Sequence, residues 1–528
     1  MKSVKKILDR RLLVAFIGSS VLFLSCTKNF TNINTNKNSI ATIGPADLPF
    51  LFSKAQSVAT NNQVNYQIAQ NLFADLYAQY FACNATYFPS DRLVIRQDWV
   101  GAAFNPMYTD VLPQLQGILG NTDSLSAEHA LAEVWWVFTF HRVTDYWGPI
   151  PYFKAGIPGT SIPYDAQDKI YDDFFKRLSA AVAVLKTQTG NSIFGSSDLI
   201  YGGNVSKWIK FANTLRLRLA IRISAVDPAR ARTEGEAAIA AGVQTTSPGD
   251  DALVQRSTKG SDGNGLSVMS DWNEFRMSAS MASVLNGYQD PRLPVYFLPA
   301  ANSGTYQGLR NGLTANQLGL SPANSANANS HVGPRWASTT FPGGLSTYLA
   351  TSQNVMATAE SYFLRAEGSL LGWNVGGLTT QQLYEGGITA SMNQWGITDA
   401  TVITNYINSL ATPVAPGDYL NSQPVSNVPI KWSTDPAIQL QQIMTQKWLS
   451  LFPDGMEAWA DYRRSHVLKL YPVANSDNSD ITNTTTQWLR RIPFLDTEKQ
   501  TNGPAVTAAV PLLGGPDKVT TPLWWDKN

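Results

Sequence analysis

Apolar residues recur every three to four positions along much of this chain, which is the spacing of amphipathic α-helices. In residues 168–187, for example, Ile170, Phe174 and Leu178 are each four positions apart. Ser126 precedes another such stretch and is a residue type that caps helix N-termini. The pattern predicts helices at residues 63–83, 126–143, 168–187, 205–225, 228–241, 270–287, 355–373, 379–395 and 436–452.

Several of these predicted helices follow one another after short linkers, which indicates α-hairpins stacked side by side. Small residues recur within them, as at Ala357, Ala359 and Ala366, and small residues let helices approach closely, as in tetratricopeptide units. No clean period of about 34 residues is visible, so any such repeat is degenerate. The predicted fold is mainly α, a tetratricopeptide-like scaffold of helix pairs.

Long stretches without helical periodicity separate the helices. They cover residues 84–101, 245–270, 299–350 and 466–528, and the middle two are rich in Ser, Gly, Asn and Thr. Loops of this length are uncommon in compact domains and often carry function. We therefore expect the helix pairs to support a binding face made of long loops.

The N-terminus is typical of an exported protein. A basic stretch through Arg11 is followed by an apolar run of 13 residues from Leu12 to Leu24, which is too short to span a bilayer. Cys26 then follows a small residue, as in the lipobox of bacterial lipoproteins, where the thiol is alkylated by a lipid. We predict a signal peptide at 1–25, lipidation at Cys26, a polar tether at 26–44 and a single helical domain at 45–528. The alternative is an ordinary signal peptide with a chance cysteine.

Composition narrows the function. With 44% hydrophobic and 15% charged residues, the chain is not a disordered protein, and two cysteines do not make a disulfide framework. Removal of residues 1–25 leaves 35 Lys and Arg against 38 Asp and Glu, a net charge of about −3. This balance provides no basic surface for nucleic acid, so no nucleic-acid partner is expected.

Sequence signatures of enzymes are absent. The chain contains no G-x-S-x-G, H-E-x-x-H or Walker motif, and its four histidines lack the spacing of metal ligands. The sequence does not exclude a glycosidase. Acid pairs such as Asp172 and Asp173 are present, and the fold rather than the sequence sets the distance between catalytic carboxylates. We expect no catalysis, metal or cofactor. Calcium at the oxygen-rich segments 247–252 or 261–265 is the alternative.

Five segments, taken in order, carry a family resemblance. They are CTKNFTNINTNKNS from Cys26, FTFHRVTDYWGPIPYFKA at 138–155, DLIYGGNVSKWIKFANTLRLRLAIRIS at 198–224, AESYFLRAEGSLLGW at 359–373 with EGGITASMNQWG at 385–396, and IMTQKWLSLFPDGMEAWADYRRS at 443–465 with RRIPF at 490–494. Together they resemble the SusD/RagB family of outer-membrane nutrient-binding lipoproteins of Bacteroidota, in its SusD-like branch. The resemblance covers nearly the whole mature chain.

The resemblance implies both a fold and a role. It implies four tetratricopeptide-like helix pairs, a lipid anchor in the outer membrane with the body facing outward, and a SusC-like TonB-dependent transporter as partner. The ligand would be an oligosaccharide, or alternatively a peptide or another nutrient. Two further alternatives are a surface-anchored hydrolase and a purely structural scaffold for protein partners.

The motifs that carry the resemblance are interpreted as structural. Asp145 would accept backbone hydrogen bonds, and Gly148 would take an unusual backbone angle in the turn. Arg218 and Arg222, one helical turn apart, would pair with carboxylates of neighbouring helices, with Glu360 and Glu367 as candidates. A second internal ion network would comprise Glu457, Asp461, Arg463 and Arg464.

A neutral sugar presents apolar C–H faces to aromatic rings and hydroxyls to polar side chains. Aromatic residues mixed with polar ones in the predicted loops are therefore the candidate ligand-binding residues. The candidates lie in three segments, residues 87–99, 271–276 and 306–348, and are Tyr87, Phe88, Arg92, Trp99, Trp272, Tyr306, Arg335 and Trp336. For each aromatic residue the alternative is that it packs beneath its own loop or contacts the transporter.

Overall fold

The computed structural model describes residues 43–63, 65–337 and 348–527. Helices dominate these residues, which confirms the predicted mainly α class. In chain order the α-helices are α1 (Leu48–Ala59), α2 (Gln97–Val100), α3 (Leu112–Gly120), α4 (Ala127–Trp147), α5 (Gln167–Lys186), α6 (Val205–Arg222), α7 (Pro228–Ala241), α8 (Gly265–Trp272), α9 (Ala279–Gly287), α10 (Leu293–Tyr296), α11 (Ala315–Leu320), α12 (Thr358–Leu370), α13 (Thr380–Gln394), α14 (Ala400–Ile407), α15 (Pro436–Leu451), α16 (Gly455–Ser465), α17 (Asp496–Thr501) and α18 (Gly503–Ala509).

Consecutive helices pair as a tetratricopeptide-like scaffold requires. Helix α4 packs on α5, α6 on α7, and α12 on α13, while α15 and α16 are joined by a turn at 452–454. The pairs also contact one another, because α5 packs on α6, α6 on α12, and α12 on α15. The apolar stripe predicted for α5 is buried against these neighbours, and each such Leu, Ile or Phe side chain contributes about 1.5–3 kcal/mol.

Helix starts agree with the capping residues in the sequence. The Ser126 side chain accepts a hydrogen bond from the His129 amide at the start of α4, as predicted. Asn204 caps α6 in the same way, through the Lys207 amide. Each cap satisfies an amide that has no partner within its own helix. The predicted helices at 168–187, 228–241, 379–395 and 436–452 all agree with the structure to within a residue.

Among the described residues, four short strands interrupt regions that the sequence pattern had placed in helices or loops. They are β1 (Phe81–Cys83), β2 (Ala252–Val254), β3 (Phe275–Met277) and β4 (Gln353–Met356). Strand β1 pairs antiparallel with β3, and β2 pairs antiparallel with β4. Each pair joins segments that are far apart in the sequence, so these strands attach the loops between the helices to the helical scaffold.

Two of the predicted helices are not continuous α-helices. The helix predicted at 270–287 is broken, because Asn273 adopts a left-handed conformation after α8 and the next residues enter β3 before α9 begins. The helix predicted at 63–83 has π-helical bonding from Gln67 to Asp75, and its last residues form β1 instead. In both cases the pairing of β1 with β3 overrides local helical periodicity.

The turn after α4 is a structural element of the core, as interpreted from the sequence. Gly148 has a φ of +85°, which favours glycine. Trp147 and Tyr152 are buried. The partners of Asp145 differ from the prediction: its carboxylate accepts hydrogen bonds from Tyr171 Oη at 2.6 Å and Trp525 Nε1 at 2.9 Å rather than from backbone amides.

Buried ion pairs tie the helix pairs together. Arg218 pairs with Glu360 at 2.6 Å, which confirms that predicted contact. Arg222 pairs with Glu457 at 2.7 Å. Glu367 pairs with neither Arg218 nor Arg222; its partner is Arg464, at 2.7 Å. Salt bridges therefore link α6 to α12, α6 to α16, and α12 to α16.

A second group of charges lies between α15 and α16. Burial opposes ionisation of Asp461, but Lys447 at 2.9 Å and Arg464 hold the pKa of its carboxyl below the ordinary value. Arg463 departs from the predicted network. Its hydrogen bonds go to the backbone carbonyls of Trp459 and Arg490, and burial lowers its pKa to about 9.

Ala46–Asn528 forms one compact unit. Within the part of the chain that the structure describes, no helix is long and apolar enough to cross a membrane. The predicted signal peptide, Cys26 and nearly all of the tether lie outside the described residues.

Candidate functional site

The buried carboxylate of Asp91 anchors the loop that follows β1. Asp91 accepts hydrogen bonds from the amides of Cys83 and Gly312 and from Asn311 Nδ2. Burial raises the pKa of Asp91 to about 6, although these donors favour the charged form. The anchor joins this loop to residues 311–312 and thereby fixes the base from which its aromatic residues project.

Three of the predicted aromatic residues form one cluster on this loop. The Tyr87 and Phe88 rings lie 4.6 Å apart, and Phe88 lies 5.6 Å from Trp99 in an edge-on arrangement. Tyr87 is 66% exposed, whereas Phe88 is only 9% exposed. The expectation that Phe88 is presented on an exposed loop is therefore wrong, because its neighbours cover it and it supports their rings instead.

Arg96 extends the cluster with a cation. Its guanidinium lies 4.4 Å from the centre of the Trp99 ring and makes a two-pronged hydrogen bond to Asp98. Arg96 and Asp98 are both solvent-accessible, with 43% and 57% of their side chains exposed. The Trp99 ring is thus held in place while polar groups remain beside it.

The segment after α8 joins the same surface through Glu274. The Glu274 backbone carbonyl accepts the Asn84 amide at 3.1 Å, and its carboxylate accepts hydrogen bonds from Tyr87 Oη and from Gln67 Nε2. Partial burial, together with the bond to Glu274, raises the pKa of Tyr87 to about 12. Trp272, two residues before Glu274, is 41% exposed. The structure therefore brings two of the three predicted segments together.

We call the surface formed by Tyr87, Trp99, Trp272, Arg96 and Glu274 the Tyr87 surface. Its aromatic rings can cover the apolar face of a sugar, while the guanidinium and carboxylate can bond hydroxyl groups. The eight predicted binding residues do not include Arg96 and Glu274. Their charge and their position near Trp99 and Trp272 in the sequence could have identified Arg96 and Glu274 as binding residues.

The third predicted segment, residues 306–348, does not present its tryptophan on an exposed surface. Trp336 is 3% exposed and packs against Trp395 and Phe452, with ring centres 5.7 and 5.8 Å away. The expectation that it is a loop-surface residue is wrong, because Trp395, directly after α13, and Phe452, directly after α15, enclose it. Arg335 is half-buried, with its guanidinium 5.0 Å from the centre of the Trp395 ring.

The other two predicted residues lie apart from the Tyr87 surface or are already engaged. Arg92 forms a 2.5 Å ion pair with Asp477, and only 14% of its side chain is exposed. Tyr306 is half-exposed, and its carbonyl accepts a hydrogen bond from Asn286 at the end of α9. No ring contact or hydrogen bond within the described residues joins Tyr306 to the Tyr87 surface. Residues 338–347, which complete the third segment, lie outside the described residues.

The two segments considered for calcium use their carboxylates within the protein. Asp250 accepts hydrogen bonds from Lys210 Nζ and from the amides of Thr245 and Thr246. Asp262 pairs with Arg256. Among the described residues there is no group of three or more His, Cys, Asp or Glu side chains arranged to hold a metal ion.

Comparisons with known proteins agree with this architecture. A family model described as SusD-like, the Susd and RagB outer membrane lipoproteins, matches residues 30–526. Among solved structures, a chitin-binding SusD homologue from Flavobacterium johnsoniae is 34% identical over 91% of this chain and 99% of its own, with a TM-score of 0.80. A SusD homologue from Bacteroides thetaiotaomicron is 28% identical with the same coverage and TM-score.

A third solved structure, described as a chitin-binding protein, is 26% identical over 91% of this chain and all of its own, with a TM-score of 0.74. None of the curated proteins compared with the chain matches it. The fold and the family model therefore agree over nearly the whole length of the chain.

Proposed function

Since this chain belongs to the SusD-like family of outer-membrane lipoproteins, we propose that it binds a soluble glycan at the cell surface and delivers it to a SusC-like TonB-dependent transporter. The role is one of capture and presentation, without a catalytic step. The structural feature that carries the proposal is the Tyr87 surface, because it presents aromatic rings and polar groups together on the outside of a rigid helical scaffold.

The chemistry of this surface suits an uncharged polysaccharide fragment. Pyranose rings carry C–H groups on one face that pack against aromatic rings, and their hydroxyl groups bond to carboxylates and guanidinium groups. Arg96 and Glu274 provide one group of each kind beside Trp99 and Tyr87. Because the loop is held by buried Asp91, little conformational entropy is lost when a ligand binds.

Oligosaccharides of N-acetylglucosamine are the first ligands to test. Two of the solved structures that resemble this chain are described as chitin-binding, one of them at 34% identity. Chitin fragments are neutral and present both C–H faces and hydroxyl groups, which the rings and polar groups of this surface can contact. Maltose and cellulose oligomers of similar length are the comparison ligands, since they share the pyranose ring but lack the acetamido group.

Membrane attachment in this proposal depends on Cys26. Cleavage after residue 25 would leave Cys26 as the acylated N-terminus, and the polar segment that follows would separate the lipid from α1, which begins at Leu48. One acyl group holds a protein only weakly, so the two chains of a diacylglycerol give a stable anchor.

The test is calorimetric titration of the purified protein with tetramers of N-acetylglucosamine, maltose-type and cellulose-type sugars. We expect micromolar to millimolar affinity for at least one of them. Trp99→Ala and Trp272→Ala should each weaken binding about tenfold, which corresponds to about 1.4 kcal/mol. The control is Phe50→Ala, because Phe50 is 69% exposed, similar to Tyr87, but lies on α1.

Two outcomes would contradict the proposal. If Trp99→Ala and Trp272→Ala leave the affinity unchanged for a glycan that the parent protein binds, the Tyr87 surface is not the binding site. If no glycan binds and a peptide library does, the alternative nutrient class is correct and the glycan assignment fails.

A further inference from the structure

A cavity of about 350 Å³ lies between three segments of the described chain. One wall is the π-helical segment Met107–Val111 with its neighbours Phe104 and Leu112. The loop at residues 151–162 forms the second wall, and residues 498–502, in and directly after α17, form the third. The volume falls within the range of about 300–1,000 Å³ that is typical of small-molecule sites. The cavity is therefore large enough for an organic ligand.

Hydrogen bonds within the protein hold the loop wall at both of its ends. At one end, Gln116 Nε2 of α3 donates to the Ala155 carbonyl at 3.0 Å. At the other end, Asn502 Nδ2 donates to the Ile162 carbonyl at 2.8 Å, and its Oδ1 accepts the Ile162 amide and the Ser161 hydroxyl. Because this wall is already fixed, a ligand does not have to order it, which lowers the entropic cost of binding.

Glu498 is the one charged residue among the described residues that line this cavity. Its sequence neighbour Lys499 pairs instead with Asp517 at 3.2 Å and with Asp496 at 3.3 Å. No other lysine, arginine or histidine in the described part of the chain forms an ion pair with Glu498. The cavity therefore contains a carboxylate that no side chain described by the structure neutralises.

Tyr164 holds the Glu498 carboxylate in a fixed orientation. The Tyr164 hydroxyl donates to Glu498 Oε2 at 2.9 Å, and Asn502 Nδ2 lies 3.4 Å from the same oxygen. Burial and the nearby Glu498 charge raise the pKa of Tyr164, so its phenol keeps its proton and remains a donor. The other carboxylate oxygen, Oε1, makes no hydrogen bond to any described residue, so it can accept one from a ligand.

Aromatic and aliphatic side chains form the opposite wall. The Phe104 and Tyr108 rings lie 4.6 Å apart, and the Tyr108 hydroxyl donates to the Pro151 carbonyl at 2.8 Å, which fixes that ring. Leu112 adds aliphatic surface beside them. Aromatic rings attract cations, and apolar walls pack against hydrocarbon. The lining thus suits an organic cation with a short apolar stem.

Other classes of ligand gain less from these walls. An anion would meet the Glu498 carboxylate with no cation of the lining to offset it, and a neutral ligand would not neutralise that charge. A calcium ion takes six to eight oxygen ligands, usually from several carboxylates. Among the described residues, no group of three His, Cys, Asp or Glu side chains is arranged to hold a metal ion.

We infer that this cavity, which we call the Glu498 pocket, binds a small primary amine in its ammonium form. The ammonium group donates to Glu498 Oε1, and the hydrocarbon stem packs against Tyr108 and Leu112. This class of ligand differs from the neutral glycans proposed for the Tyr87 surface, and the inference does not depend on that proposal.

The experiment is an NMR titration, read by saturation transfer, of the purified protein at pH 7, where a primary alkylamine is protonated. The probes are n-butylamine, n-butanol and butyrate, which have similar stems and differ in charge. We expect transfer to n-butylamine, about tenfold weaker binding of n-butanol, which corresponds to about 1.4 kcal/mol, and no transfer to butyrate.

Two variants locate the binding. Glu498→Gln should weaken n-butylamine binding about tenfold, because the amide keeps the shape of the side chain and can still accept the Tyr164 hydrogen bond but carries no charge. Tyr108→Leu should weaken it about threefold, because the ring that attracts the cation is lost. Thermal unfolding verifies that each variant is folded.

The matched control is Glu133→Gln. Glu133 lines another cavity of about 350 Å³, between α4 and α5, but it pairs with Arg177 and is already neutralised. This variant should leave n-butylamine binding unchanged. The inference is overturned if n-butylamine does not bind, if n-butanol or butyrate binds equally well, or if Glu133→Gln and Glu498→Gln have the same effect. Oligosaccharide titration with Trp99→Ala tests the glycan proposal separately, so either can fail alone.

Discussion

Arg218 and Glu360 meet across the interface of α6 and α12 as a fork of two hydrogen bonds, each 2.6 Å long. Both side chains are almost wholly inaccessible to solvent, at 1% and 0% exposure. A buried pair of this kind adds little net stability compared with apolar residues, yet loss of one partner leaves an uncompensated charge. The pair therefore fixes how two helix pairs of the scaffold fit together.

We expect Glu360→Gln to lower the free energy of unfolding by about 3–5 kcal/mol, because the buried Arg218 guanidinium would lose its nearest counter-charge and keep only Glu457, 3.6 Å away. Urea denaturation followed by circular dichroism measures the change. The control is Arg232→Gln, which breaks an exposed pair with Glu236 on α7 and should cost at most about 0.5 kcal/mol. Equal effects of the two substitutions would contradict the assigned role of the buried pair.

Asp75 makes the stability of the fold depend on pH. Burial raises its pKa to about 7, although Tyr66 and Gln70 donate hydrogen bonds to it. The unfolded chain releases this proton near pH 4, so this group destabilises the fold progressively as the pH rises from about 4 to 7 and has no further effect above that. Each unit of pKa difference corresponds to about 1.4 kcal/mol.

We therefore expect Asp75→Asn to gain stability relative to the parent protein as the pH rises from 4 to 7. The measurement is the unfolding midpoint in urea at half-unit pH steps. Asp91→Asn is the comparison, since burial raises its pKa to about 6 and its effect should level off about one pH unit earlier. A difference between parent and Asp75→Asn that does not vary with pH would refute this assignment.

Trp336 and Trp272 are both candidate binding residues in the sequence, but replacing each with alanine should change the stability of the fold by different amounts. Trp336→Ala empties a site enclosed by Trp395 and Phe452, which costs about 3–5 kcal/mol. Trp272→Ala removes a ring that is 41% exposed and should change stability by less than about 1 kcal/mol. Thermal unfolding of both variants, together with glycan titration, separates a loss of packing from a loss of binding.

Cys26→Ser should release the protein from the membrane fraction, because the predicted cleavage site would no longer be followed by a thiol that can carry the lipid. Fractionation of cells followed by immunoblotting measures the distribution. Globomycin, which inhibits the lipoprotein signal peptidase, should cause the uncleaved precursor to accumulate. If the variant and the drug leave both the size and the fractionation unchanged, Cys26 is not lipidated.

The paired helices could be read from the sequence because their signals are local. Apolar residues at helical spacing located α5, and Ser126 marked the start of α4, since a cap acts on an amide three residues away. The contact between Arg218 and Glu360 could also be predicted. A charge on the buried side of a helix needs a partner, and few carboxylates lie on neighbouring buried faces.

The aromatic residues of the loops show that local sequence does not predict which side chains are exposed. Phe88 and Tyr87 are adjacent in the sequence, yet one is covered and the other exposed. Trp336 became a core residue only because α13 and α15 bring Trp395 and Phe452 around it. The exposure of a loop residue depends on distant segments that pack over it, and one sequence does not specify those contacts.

The sequence alone therefore determined the helical class, the pairing of helices and the family, because each depends on periodicity, caps or motifs within a short window. Only the tertiary structure decided which rings are presented to a ligand. It joined Tyr87 to Glu274 across almost 190 residues and enclosed Trp336 between Trp395 and Phe452. Such sites are made by long-range packing, which local propensities do not encode.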